Sequence, residues 1–235
     1  MKIALIGYGK MGKMIEEIAL ERKHTISSVI DSENWDINQL SDIDVAIDFS
    51  VPKAAVINIS KCVNANVPIV VGTTGWYKDL EKVLEEVGAK NGAILTATNF
   101  SIGVNIFYEI NKKLAALMNN QPNYNSLIKE THHTQKLDSP SGTAISIAEQ
   151  MIQNMDKYNG WKEAENVDET TLKIIADRKE NIPGTHQVIY SSDIDEISIV
   201  HEAKNRKGFA LGAVIAAEFL LNKKGVFTMN DVLKF

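Results

Sequence analysis

A short apolar run, Lys2–Ile6, leads directly into Gly7-Tyr8-Gly9-Lys10-Met11-Gly12 and then into a helical stretch that reaches about Glu21. Glycines at the first, third and sixth positions between a strand and a helix have separate uses. The first permits the tight turn, the second lets backbone approach an anionic group, and the third lets helix and strand pack closely. The next strand, Thr25–Ile30, ends at Asp31, 19 residues beyond Gly12. The glycine pattern alone is weak evidence. With its strand, its helix and a distal acid it reads as a dinucleotide fingerprint, with Gly7 to Gly12 at the pyrophosphate and Asp31 on the adenosine ribose. The competing reading is a glycine turn of a flavodoxin-like or other nucleotide domain with an incidental acid. Ser32 follows Asp31, with no adjacent arginine to hold a 2′-phosphate. A carboxylate repels that phosphate, so the sequence leans towards NADH over NADPH, with Lys10 able to offset part of the repulsion.

The strand–helix alternation continues. Val45–Asp48 leads through Phe49-Ser50-Val51-Pro52 into a helix to about Asn64. Pro68–Val71 leads through Gly72-Thr73-Thr74-Gly75 into a helix over Tyr77–Lys90, and Ala93–Thr96 ends in Ala97-Thr98-Asn99-Phe100. Short apolar strands alternating with helices predict a doubly wound, Rossmann-type parallel sheet covered on both faces. Ligands bind at the carboxyl ends of such strands. Gly72, Thr73 and Thr74 therefore suit a nicotinamide ribose, and Ala97, Thr98, Asn99 and Phe100 could frame the nicotinamide. Ordinary strand–helix turn chemistry explains both loops equally well.

Beyond residue 100 the pattern changes. Val104–Met118 has helical spacing, and 119–123 is a polar break. Ser126–Thr131 reads as a strand and Ala144–Met155 as a helix. A polar stretch, 156–170, holds Trp161 as loop packing. Thr171–Ala176, Gln187–Ser191 and Glu196–Glu202 read as further strands, with alternation and β-branched residues. These elements predict a smaller α+β domain over 101–206. The helix Gly208–Leu221 and a short C-terminal tail return to complete the 1–100 domain over 207–235.

Composition mainly excludes. A net charge of −5 gives no electrostatic reason to expect nucleic acid or an anionic membrane as partner. No 18-residue apolar run is present, so no transmembrane helix is expected. The single cysteine, Cys62, excludes an internal disulfide and fits a reducing cytoplasm. Cys62 invites comparison with the thiol nucleophile of semialdehyde dehydrogenases. It lies inside a helix with no histidine beside it in sequence, and reads as a small buried residue.

The chemistry of the second domain concentrates in Glu130-Thr-His132-His133-Thr-Gln-Lys136-Leu-Asp-Ser139-Pro140-Ser141-Gly142-Thr143-Ala144. Adjacent histidines in an extended segment point to opposite sides, so only one lies deep in a given pocket. Lys136 is near enough to return to the same cavity after a turn. Ser139 or Ser141 can cap the following helix, Pro140 suits its first turn, and Gly142 lets an anion contact backbone N–H groups. The segment reads as a carboxylate cradle beside proton donors, or else as a surface turn with solvated histidines and a structural cap. A metal site is disfavoured: no cysteine is nearby, and adjacent histidines do not share one helical face. His186, after Pro183-Gly184-Thr185, could line the pocket. Lys204-Asn-Arg206-Lys207 reads as a solvated or intersubunit basic turn, with a hinge nearby.

The segments Ile6–Gly12, Ala46-Ile-Asp-Phe-Ser50, Gly72–Gly75, Asn99-Phe-Ser-Ile-Gly-Val-Asn105 and Glu130–Thr143 together resemble the 4-hydroxy-tetrahydrodipicolinate (dihydrodipicolinate) reductase family. The last of them matches the specific signature E-A-H-H-x-x-K-x-D-x-P-S-G-T, with Thr131 in place of Ala. The resemblance spans nearly the whole chain. It implies that His132 donates or accepts a proton and Lys136 donates one. It implies that His133, Ser141, Gly142 and Thr143 bind substrate, and that Gly7, Tyr8, Gly9, Lys10, Met11, Gly12, Asp31, Gly72, Thr73, Thr74, Ala97, Thr98, Asn99 and Phe100 bind NADH or NADPH. The substrate implied is a cyclic, conjugated imine dicarboxylate that takes hydride at C4 and a proton at the neighbouring carbon; no metal is involved. A homotetramer built through the sheets of the second domain is also implied. Two departures are visible. The Gly184–Ala203 region is shorter than in many members and lacks their G-D-x-V-G-E-H hairpin, and little chain separates Asp31 from Val45.

Overall fold

The computed structural model describes residues 1–235. In chain order its elements are β1 (Lys2–Ile6), α1 (Lys10–Glu21), β2 (Thr25–Ile30), β3 (Val45–Asp48), α2 (Pro52–Asn64), β4 (Ile69–Val71), α3 (Leu80–Ala89), β5 (Ala93–Thr96) and α4 (Ile102–Met118). There follow β6 (Asn125–His132), α5 (Gly142–Asn154), β7 (Gly160–Glu163), β8 (Thr171–Arg178), β9 (Gly184–Ser191), β10 (Glu196–Ala203), α6 (Lys207–Leu220), β11 (Gly225–Phe227) and α7 (Met229–Leu233). The chain divides into two compact units, Met1–Ile102 with Lys207–Phe235, and Gly103–Arg206.

The first unit is a parallel sheet of order β11-β5-β4-β3-β1-β2. Its central strands are apolar on both sides because both sides are covered. Ile3, Leu5, Val45, Ile47, Val70 and Leu95 pack against Ile15 and Ile18 of α1 and Ala213 and Val214 of α6. Ala4, Ile6, Ala46, Ile69, Val71 and Ile94 pack against Ile59 and Val63 of α2 and Val83 and Val87 of α3. Each buried Val, Leu or Ile contributes roughly 1.5–3 kcal/mol, so a double-sided core anchors the strands whose carboxyl ends carry the loops. The expected C-terminal tail is instead the edge strand β11, paired with β5. Three residues are too few to show a period, so the sequence carried no strand signal there.

The second unit is a mixed sheet of order β10-β9-β6-β8-β7, with β6, β8 and β7 mutually parallel and β9 antiparallel to both its neighbours, β6 and β10. One face packs Ile128, Leu172, Ile174, Val188 and Tyr190 against Phe107 of α4 and Ile147 and Met151 of α5. The molecule thus has the doubly wound sheet and the smaller α+β unit read from the sequence. Details differ. Gly160–Glu163, read as loop, forms β7 beside β8. Helix α5 starts at Gly142 with Ser141 as its N-cap, so Pro140 precedes the helix and is not in its first turn. The β9–β10 turn is tight, closed by Ser192 N–H to Asp195 C=O at 3.0 Å.

The inward face of β6 sets the chemistry. Ser126, Ile128, Glu130 and His132 alternate inward and are all buried. The strand therefore begins as core wall and ends with a carboxylate and an imidazole in positions that elsewhere carry apolar side chains.

Candidate active site

In the first unit the glycines act by leaving room. A Cβ on Gly7, whose φ is +88°, would lie 2.4 Å from the Phe49 carbonyl oxygen, and one on Gly12 would lie 2.3 Å from that of Gly7. A Cβ on Gly9 would meet nothing within 4 Å. Gly7 and Gly12 are thus fixed by close packing, while Gly9 leaves backbone open at the start of α1. Beside it lies a cavity of about 350 Å³, lined by Gly7, Tyr8, Gly9, Asp31, Ser32, Glu33 and Ser50 among others. Asp31 Oδ1 accepts the Tyr8 N–H at 3.0 Å, which ties the acid to the glycine loop. The cavity fits a dinucleotide: bare backbone for a pyrophosphate and a carboxylate for a ribose.

Other cofactor candidates are placed differently. Lys10 opens α1 and is exposed, whereas Met11 packs into the core. Gly72 packs on the Phe49 ring. Thr73 is buried, its hydroxyl donating to Asp48 Oδ1 and accepting the Ser50 N–H at 2.8 Å. That hydroxyl is therefore used to tie two loops together, with Thr74 left exposed beside it. Asp48 also accepts from Ser50 Oγ and Asn58 Nδ2. Burial pushes its carboxyl above the usual range, against the hydrogen bonds from Thr73, Asn58 and Ser50. Phe100 is buried 5.6 Å from the Phe49 ring, Asn99 Oδ1 accepts the Ser101 N–H, Ala97 lies against the core and Thr98 is exposed. None of Ala97–Phe100 lines the cavity. Its Glu33, which carried no sequence signal, pairs with Lys53.

In the second unit His132 and His133 do diverge. His133 lines a cavity of about 480 Å³ with Thr134, Gln135, Glu180, Asn181, Ile182, Pro183 and Arg206. Arg206 Nη2 lies 3.1 Å from His133 Nε2. A guanidinium only donates, so that nitrogen accepts. Arg206 is exposed in the basic turn after β10, as a solvated turn residue is, and it also lines this cavity. His132 lies behind, 8% exposed, with Nδ1 3.2 Å from Glu130 Oε2. His186 shares this site, its Nε2 3.2 Å from Ser141 Oγ and 3.6 Å from Glu130 Oε2. Lys136 Nζ does not enter the cavity lining but lies 2.8 Å from both carboxylate oxygens of Asp138.

Glu130 is the centre of this group. Its Oε1 accepts the Ser141 backbone N–H at 2.9 Å, with the Arg178 guanidinium at 3.4 Å. Arg178 in turn donates to the Asp138 carbonyl at 2.7 Å, which holds the Lys136 loop. Burial works against the Glu130 charge, but the imidazoles of His132 and His186 close to Oε2 and the Ser141 N–H on Oε1 prevail and hold its carboxyl well below the usual carboxylate range. Burial pushes His186 down from its ordinary value, so it is a neutral imidazole near pH 7. Glu130, His132 and His186 bring three ligand atoms within 4.8 Å of one another, a spacing that could hold a metal ion. The Ser141 N–H and Arg178 already serve the carboxylate, and the guanidinium opposes a second cation.

Ser141 Oγ accepts the Ala144 N–H at 3.2 Å, while a Cβ on Gly142 would meet nothing within 4 Å. The first turn of α5 thus has a satisfied cap and an open approach at Gly142, with Thr143 half-buried beside it. Cys62 is fully buried and burial pushes its thiol far up, which disfavours a nucleophilic thiolate.

The family description "Dihydrodipicolinate reductase, N-terminus" matches residues 1–100, and "Dihydrodipicolinate reductase, C-terminus" matches 103–233. The chain is 53% identical to a 4-hydroxy-tetrahydrodipicolinate reductase of Christiangramia forsetii, over 99% of this chain and 98% of that one. It is 36% identical to the Thermosipho africanus protein of the same name, over 100% and 98%. The fold is similar to that of a dipicolinate-bound dihydrodipicolinate reductase from Paenisporosarcina sp. TG-14, with a TM-score of 0.79, 22% identity and 97% of each chain covered.

Proposed function

Because the chain belongs to the dihydrodipicolinate reductase family, we propose that it reduces 4-hydroxy-tetrahydrodipicolinate to tetrahydrodipicolinate with NAD(P)H, a step of lysine and diaminopimelate biosynthesis. The observation that carries this reading is the joining of a proton-donor group to an open helix N-terminus. Glu130 contacts both His132 and the Ser141 N–H that precedes Gly142.

A bound nicotinamide dinucleotide supplies hydride. Gly7, Tyr8, Gly9, Lys10 and Asp31 hold its pyrophosphate and ribose, with Gly12 and Met11 shaping the loop and Gly72, Thr74 and Ala97–Phe100 bordering the nicotinamide side. Asp31 and Glu33 line one cavity. Two carboxylates against one Lys53 disfavour a 2′-phosphate, so NADH is the preferred cofactor.

The substrate carries two carboxylates, and the second unit offers two sets of donors. The Gly142 and Thr143 backbone at the α5 N-terminus takes one; His133 and Arg206 take the other. Hydride addition to a conjugated C=N system builds negative charge at the neighbouring carbon, which an acid must quench. His132 delivers that proton. Lys136, released from Asp138 by a substrate carboxylate, assists it. The face of the second sheet opposite α5 carries Leu127, Ile189 and Val200 on alternate positions, the last 56% exposed. This face suits assembly into the family's homotetramer.

The test is NADH and NADPH oxidation by the purified full chain with freshly generated synthase product. Turnover with higher kcat/KM for NADH is expected. No oxidation of either nucleotide would overturn the assignment, and a preference for NADPH would overturn the reading of Asp31 and Glu33.

A further inference from the structure

The two oxygens of Glu130 have different surroundings. Oε1 faces donors: the Ser141 N–H at 2.9 Å and the Arg178 guanidinium at 3.4 Å. Oε2 faces two imidazoles, His132 Nδ1 at 3.2 Å and His186 Nε2 at 3.6 Å. His186 pairs directly with Glu130 across β6 and β9, and is itself backed by His201, its partner in β10. Burial holds His186 below its ordinary value, against the pull of Glu130. A neutral His186 leaves the carboxylate charge for His132.

The other edge of the His132 ring meets Gly184, at the start of β9. A Cβ there would lie 3.0 Å from His132 Nε2 and 3.2 Å from Cδ2. The imidazole is therefore bounded by an anion at Nδ1 and by a residue without a side chain at Nε2. A carboxylate at one ring nitrogen selects the tautomer with hydrogen there and frees the other nitrogen to exchange a proton.

We propose that Glu130 and Gly184 are positioning residues for His132: Glu130 keeps the hydrogen on Nδ1 so that Nε2 exchanges the proton, and Gly184 keeps Nε2 approachable. The catalytic consequence rests on His132 being the proton donor of the reaction above; the tautomer does not.

Glu130→Gln separates this role from a structural one. The amide oxygen takes the place of Oε1, because Ser141 and Arg178 both donate there. The amide NH₂ then points at His132 Nδ1 and forces the hydrogen to Nε2. Shape and the Ser141 contact persist. In full-length protein labelled with ¹⁵N-histidine, with His132 assigned from the His132→Gln spectrum, wild type should show Nδ1–H and Glu130→Gln should show Nε2–H. The variant's kcat should fall by roughly 10²–10⁴, while its Kd for dipicolinate stays within about threefold, consistent with the retained Ser141 contact. Gly184→Ala should lower kcat and keep the Nδ1–H tautomer. Wild-type His132 carrying its hydrogen on Nε2 would overturn the proposal. So would a Glu130→Gln variant with wild-type kcat, or one whose dipicolinate binding falls as far as its kcat. Wild-type turnover in His132→Gln would instead overturn the proton-donor reading, whatever tautomer the spectra report.

Discussion

In the first unit a binding surface is made by omission: within six consecutive residues Gly7, Gly9 and Gly12 lack side chains, and backbone does the work. In the second unit the site is made by convergence, with Glu130 and His132 from β6, Arg178 from β8, His186 from β9 and Ser141 from the cap of α5 meeting around one carboxylate. The first design cannot tolerate added atoms. The second is sensitive chiefly to altered charge or hydrogen placement, and to added atoms at Gly184 against His132 Nε2, so substitutions in the two regions should fail in different ways.

The largest effect on stability is expected at Gly12. Its Cβ would lie 2.3 Å from a backbone oxygen, which no side-chain rotation relieves. Overpacking of this kind costs about 1–3 kcal/mol or more. Gly12→Ala should lower the thermal midpoint and weaken NADH binding by at least roughly tenfold, read by calorimetry; unchanged binding would show that the loop is not shaped by packing. Arg206→Ala should leave the fold intact and raise KM for the dicarboxylate about 10–100-fold with little change in kcat, the size of a lost charge-assisted hydrogen bond. A change confined to kcat would remove Arg206 from binding.

The smallest effect is a pH dependence of stability. The folded-state pKa of His186 is lowered, first by burial, so below about pH 6.5 the unfolded chain takes a proton that the native imidazole refuses. Stability from this group is complete above that pH and is lost as pH falls towards the folded value, at up to about 1.4 kcal/mol per pH unit. Glu130, whose folded pKa is also lowered, acts with the same sign in a more acidic window: its contribution is present above the usual carboxylate range and is lost as pH falls below it. His186→Gln should therefore flatten the fall in thermal midpoint between about pH 7 and 5 by a few degrees. His201, also lowered by burial, keeps part of the slope. An unaltered slope would mean that His186 is not held neutral.

The same contrast explains what could be read from the chain. The glycine loop is local, so its order of strand, turn and helix with a distal Asp31 was legible, as were the buried parallel strands. The Glu130–Thr143 segment stood out for the same reason, its histidines, lysine and helix cap being contiguous. Arg178 was not, and His186 only as a pocket candidate without its partner, because only the register of β6 with β8 and β9 brings them to Glu130. Arg206 is the solvated charge the turn suggested, but its contact with His133, 73 residues away, left no mark in sequence. Thr73 looked like a ligand hydroxyl because the buried Asp48 that occupies it lies 25 residues away. Contiguous backbone devices leave a pattern in sequence; cross-strand side-chain networks leave only composition.

The central claim, that a carboxylate-backed His132 supplies the proton for a hydride transfer, is tested most directly by steady-state NADH oxidation in His132→Gln alongside its affinity for dipicolinate. The account predicts a kcat lowered by roughly 10²–10⁴ with Kd changed by less than about fivefold. A wild-type kcat, or a loss of binding that accounts for the whole loss of rate, would contradict it.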